Sequence, residues 1–137
     1  MARLILVACI ALVSSACVPS SLQTKENPNT PKLVQASAYS VDDAYRVMQS
    51  NLVRCFAGPN YLLAASPSSP TTPPQIVVNG SLGHLFTVLD FRATATGSDT
   101  MVALGYALRR ESRTSDWKTA LNSWLVTKDE TYCPRMP

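Results

Sequence analysis

Apolar residues recur at three- and four-residue spacing between Val41 and Phe56. Val41, Ala44, Tyr45, Met48, Leu52, Cys55 and Phe56 fall together, with Arg46, Gln49, Ser50 and Arg54 largely opposite. That period predicts an amphipathic helix. Ser40 stands where its N-cap belongs, and Asp43 three residues on completes a capping-box pattern. Asp42 and Asp43 also favour the positive end of the helix dipole, while Gly58 and Pro59 stop the helix.

Beyond Pro59 the pattern becomes β-like. Tyr61–Ala65 is a short apolar run, followed by a polar, proline-rich stretch from Ser66 to Pro74 that predicts a loop. Gln75–Val78 and Leu82–Thr96 read as strands joined near Asn79-Gly80, a dipeptide suited to tight hairpins. In the second, Leu85, Leu89, Phe91 and Ala93 alternate with Phe86, Val88, Asp90 and Arg92. A turn at Thr96-Gly97-Ser98-Asp99 leads into a strand from Thr100 to Arg110, with Val102, Leu104, Tyr106 and Leu108 on one face. A second helix is expected from Asp116 to about Thr127, capped by Ser115, with Trp117, Ala120, Leu121, Trp124 and Leu125 as its apolar stripe. This order implies an α+β domain: a small antiparallel sheet of three to four strands, with the N- and C-terminal helices packed on one face.

The N-terminus has a different character. Arg3 precedes an apolar run from Leu4 to Val13, about ten residues long. A helix crossing the bilayer core needs roughly 20. Small residues follow, and the run closes on Leu12-Val13-Ser14-Ser15-Ala16-Cys17. This segment resembles the lipobox of bacterial lipoprotein signal peptides, although Ser14 stands where that family usually has Leu. The resemblance implies removal of residues 1–16, acylation of Cys17, palmitate included, and a membrane anchor made of lipid. Ser14-Ser15-Ala16 also fits the small-x-small site of ordinary secretion. In that family an Asp after the acylated cysteine favours the inner membrane. Val18 stands here, which implies the outer membrane, facing the periplasm.

Cysteine arithmetic bears on this choice. Of Cys9, Cys17, Cys55 and Cys133, the first lies in the apolar run and would be discarded with it. A lipidated Cys17 leaves Cys55 and Cys133, an even number in an oxidising compartment; ordinary secretion leaves an orphan thiol. A Cys55–Cys133 bridge would tie the second helix and the tail to the first. It would close a loop of about 79 residues, worth roughly 4 kcal/mol in the chain-entropy view. The alternative, a redox pair, lacks C-x-x-C spacing.

From Val18 to about Ala38 the composition is Pro, Ser, Thr, Asn, Gln and Lys with scattered apolar residues. Residues 17–38 therefore read as a lipidated Cys and flexible tether, and 39–137 as the single folded domain. About 20 such residues have a root-mean-square span of about 25 Å and stretch to about 65 Å. The whole chain carries 12 Lys and Arg against 9 Asp and Glu, too slight an excess to argue for nucleic acid.

Candidate chemistry is thin. His84 is the sole histidine and cannot alone make a zinc site. Ser81, His84 and Asp90 lie within one expected hairpin, without a nucleophile elbow. Asn79-Gly80-Ser81 fits a glycosylation sequon that means little beside a bacterial signal. Arg109, Arg110 and Arg113 form a candidate contact for an acidic partner or lipid head groups, or a solvated loop face. Trp117 and Trp124 suit a core stripe better than a contact surface. No cofactor or metal is implied. The expectation is a non-enzymatic outer-membrane lipoprotein, an accessory or scaffold subunit of an envelope assembly with an unnamed protein partner. A module binding lipid or a small apolar ligand between sheet and helices is one alternative. An inhibitor of an extracytoplasmic hydrolase, acting through the proline-rich segment, is another.

Overall fold

The computed structural model describes Lys25 and residues 27–80, 86–105 and 111–135. The element order is β1 (Lys32–Ser37), α1 (Val41–Cys55), β2 (Tyr61–Ser66), β3 (Gln75–Gly80), β4 (Phe86–Thr94), β5 (Gly97–Leu104) and α2 (Glu111–Asn122). The fold is α+β, a five-stranded antiparallel sheet in the order β1-β5-β4-β3-β2 with two helices packed on it.

The fifth strand corrects the expectation of three to four. Residues 32–37, assigned by composition to the tether, pair with β5 from Lys32↔Ala103 to Ser37↔Ser98. Lys32-Leu33-Val34-Gln35-Ala36-Ser37 does alternate, with every second residue half-buried. Such a short edge strand is held by its neighbour's ladder rather than by its own propensity.

Register accounts for the core. Leu33, Val102, Leu89, Ile76 and Ala65 lie in one row across all five strands, and Leu104, Thr87, Val78 and Leu63 in the next. Their apolar members belong to one cluster with Ala44, Tyr45, Met48 and Leu52 of α1 and Trp117, Ala120 and Leu121 of α2. Tyr45 meets Phe91 edge-on, with ring centroids 5.7 Å apart, and Phe56 stacks on Trp117 at 6.1 Å. Burying each large side chain contributes about 1.5–3 kcal/mol. On the opposite sheet face Val88 and Ala103 are buried as well.

Helix α1 starts as the sequence implies. The Asp43 amide donates to Ser40 Oγ at 3.2 Å, and the Ser40 hydroxyl donates to the Asp43 carboxylate at 2.8 Å. The second helix differs: it begins at Glu111, so Ser115 is an interior residue whose carbonyl accepts from Thr119 Oγ1. It runs on into a π-helical turn, Ser123–Thr127, and ends at Lys128 in the left-handed conformation, where the Asp129 amide donates to the Ser123 carbonyl. Lys128 Nζ lies 5.5 Å from the centre of the Tyr39 ring. Trp117 and Trp124 are each 1% exposed and belong to the core.

The β4–β5 hairpin turns through Ala95-Thr96, with Thr94 paired to Gly97. Gly97 has φ +154°, and a Cβ there would run into the Ser37 carbonyl oxygen and lie 2.9 Å from Ala38 Cα. That contact is the end of the β1–β5 pairing. Gly97→Ala should therefore destabilise the fold by about 2 kcal/mol or more, measured by chemical denaturation. An unchanged midpoint would contradict this placement of β1.

Candidate functional site

Two regions gather the sequence's candidate residues or unexpected polar groups: the clamp on the C-terminal segment and a cleft on the sheet face opposite the core. Cys55, at the end of α1, is bonded to Cys133, with Cα atoms 5.5 Å apart. The tail is also held non-covalently. The Tyr132 carbonyl accepts from the indole nitrogen of Trp124 at 2.9 Å and from Arg54 Nη2 at 3.2 Å. Arg54 donates as well to Asn51 Oδ1, and the Asn51 amide donates to the Val47 carbonyl. A buried Asn is thus satisfied on both sides, which avoids the cost of an unpaired polar group.

Asp116 closes the clamp from α2. It accepts from Arg135 Nε at 2.7 Å and from Arg135 Nη2 at 3.3 Å, while the Tyr132 hydroxyl donates to it at 3.4 Å. The hydrogen bond from Arg135 holds the Asp116 carboxyl below its ordinary range. Burial, with the charge of Asp116 beside it, raises the Tyr132 phenol. The sequence signals Cys55 and Cys133, but the roles of Arg54, Asn51 and Asp116 depend on where the tail lands.

The cleft, about 890 Å³, lies between the proline-rich loop and strands β1, β4 and β5. Register puts Lys32, Val34, Met101, Ala103, Asp90 and Arg92 on the sheet face opposite the core row. Val34 is 64% exposed. The loop is fastened at one end, where Ser68 Oγ donates to Asp42 at 2.8 Å, and it turns through a Ser69–Thr72 bridge. Asp90 accepts from Gln75 Nε2 at 2.8 Å and pairs with Lys25 Nζ at 2.8 Å. Arg92 pairs with Asp99 at 3.0 Å.

Cys17, Ser81, His84, Arg109 and Arg110 lie outside the described residues. Arg113 sits in the first turn of α2 and not in the loop before it. Among the described residues no group of three His, Cys, Asp or Glu side chains could hold a metal ion. Among them, too, no helix is long and apolar enough to cross a membrane.

No family model matches the chain, and no curated protein matches it. Among solved structures, it is similar to the crystal structure of protein CV1439 from Chromobacterium violaceum. The two are 12% identical, with 74% of this chain and 99% of the other covered, at a TM-score of 0.43.

Two measurements probe the clamp. Cys55→Ala should lower stability by about 2–5 kcal/mol, read from denaturant midpoints; an unchanged midpoint would show that the bridge restrains little. Asp116 has a depressed folded pKa, so its contribution is fully present above the ordinary carboxylate pKa of about 3.9 and is lost as pH falls through the folded value. Asp116→Asn should therefore be less stable than wild type at pH 7, with the gap narrowing below about pH 4. A gap independent of pH would contradict the pairing.

Proposed function

We propose that this chain is a non-enzymatic lipoprotein of the bacterial envelope, anchored through acylated Cys17 and serving as an accessory or scaffold subunit of a larger assembly. The observation that carries this reading is the cysteine distribution. The Cys55–Cys133 bridge occupies both cysteines of the folded region, leaving Cys17, at the end of the lipobox-like segment, as the one to take lipid. A disulfide in a small domain also suits an oxidising compartment. Val18 after Cys17 favours an outer-membrane anchor facing the periplasm.

The six aspartates support a structural rather than catalytic role. The Asp43 carboxylate accepts from the Ser40 cap hydroxyl, Asp42 holds the proline-rich loop, Asp90 and Asp99 are in ion pairs, Asp116 clamps the tail, and Asp129 accepts from Thr131. Catalytic acids and bases need an open approach to substrate; these six are engaged in holding the fold. With both helices gathered on one sheet face, the part of the other face that the proline-rich loop leaves open, at Lys32 and Val34, is available for contacts outside the domain.

Palmitate labelling in cells tests the anchor. Wild type should incorporate label and sediment with membranes, whereas Cys17→Ser should do neither; equal labelling of the two, or none in either, would overturn the reading. In complementation of a deletion strain at matched protein levels, His84→Ala should retain function. Its loss in a folded, correctly localised protein would favour an enzyme, since His84 is the only side chain with an unperturbed pKa near neutrality.

A further inference from the structure

We infer that the cleft beside β1 is a contact site for the phospholipid surface that holds the anchor, taking an anionic lipid head group at Lys32 and acyl-chain surface at Val34 and Met101. The inference rests on the lipoprotein reading for the position of the anchor. The cleft itself is built from described residues.

Chain length is the first argument. With residues 17–38 all tether, the domain would roam tens of ångströms from the bilayer. The chain is instead held at Lys25, whose Nζ is 2.8 Å from Asp90 in the cleft, and again at Lys32, where β1 begins. Eight residue steps separate Cys17 from Lys25, at most about 28 Å of chain. With the Lys25–Asp90 pair broken, the limit is set by Lys32, about 50 Å. Both attachment points line the cleft. The described chain therefore reaches its N-terminal end on the cleft side of the sheet, within about 28 Å of chain from the anchor, which favours presentation of that side to the membrane.

Chemistry is the second. Lys25, Lys32 and Arg92 line the cleft, and Asp90 and Asp99 offset Lys25 and Arg92. Lys32 is exposed and contributes the remaining positive charge. Next along the same face stands Val34, 64% exposed and paired in register with Met101. One cation beside the exposed Val34 and the half-buried Met101 matches an anionic head group above acyl chain. A single charge strengthens contact with an anionic surface only about fivefold, and charges beyond about 8 Å are screened at physiological salt. The contact thus depends on the leash, which raises the local concentration of the surface.

The test uses the acylated full chain in liposomes of phosphatidylcholine, with or without phosphatidylglycerol. An environment-sensitive dye is placed at Val34→Cys or, on the α1 surface, at Val53→Cys, with the native disulfide verified. The dye at position 34 should report an apolar setting in phosphatidylglycerol liposomes, and the dye at 53 should remain water-like. Lys32→Glu, a change of two charges, should weaken the contact by roughly 25-fold, and added salt should weaken it in the parent protein. A water-like dye at 34 in an acylated, folded protein would overturn the inference and leave the anchor intact. Equal signals at 34 and 53, or in both lipid mixtures, would also overturn it. A chain without an acyl group would remove the anchor reading, and the inference with it.

Discussion

The covalent tie between the end of α1 and the C-terminal segment is the constraint on which the rest of the domain depends. Helix α2 and the π-helical turn after it join the core through Trp117, Leu121 and Trp124, and the chain then reverses at Lys128. Without the bond from Cys55 to Cys133, the tail would have to remain docked by its hydrogen bonds to Arg54, Trp124 and Asp116 and by the burial of Pro134 and the packing of Tyr132 against the core. The polar contacts among these are at the surface or half-buried, of the kind worth about 1 kcal/mol each after desolvation and ordering. Closing a loop with a sequence separation of 78 restricts the unfolded chain by roughly 4 kcal/mol in the entropic view. Small domains are stable by only about 5–15 kcal/mol, so the bridge is a large share.

The same economy governs the N-terminal side. Strand β1 is short and sits at the sheet edge, yet its pairing with β5 moves the start of the folded body toward the proposed anchor. Gly97 permits the close approach at the end of that pairing. A spacer of about 20 residues would let the domain sample every orientation, whereas the proposed leash, rooted beside β1, would restrict which surface can meet the bilayer. Fold and proposed function are linked at this point: the strand that completes the sheet also sets how the domain would be presented.

Several elements were legible in the sequence because local signals and burial agree there. Helix α1 has a side-chain cap, first-turn acids and an uninterrupted apolar period, and its observed start coincides with Val41. The alternation of Leu89 and Phe91 with Asp90 and Arg92 likewise identifies the core face of β4. Strand β1 was not legible, because six residues with Lys, Gln and Ser resemble the polar segment before them; only their partner β5 makes them a strand. The start of α2 is hidden for a related reason. Ser115 looks like a cap by residue type, but the helix continues upstream of it from Glu111. At the site, the two cysteines were apparent from counting. The cleft was not, since it joins Lys25, Lys32, Arg92 and the proline-rich loop across separate stretches of chain.

The central claim is that one cysteine carries the anchor while two others close the fold. Mass spectrometry of the protein taken from membranes, digested without reduction, tests it most directly. The N-terminal peptide should begin at Cys17 and carry acyl groups, and a second species should contain the peptides of Cys55 and Cys133 joined by a disulfide. An unmodified N-terminus at any position, or Cys17 joined to Cys55 or Cys133, would contradict the claim.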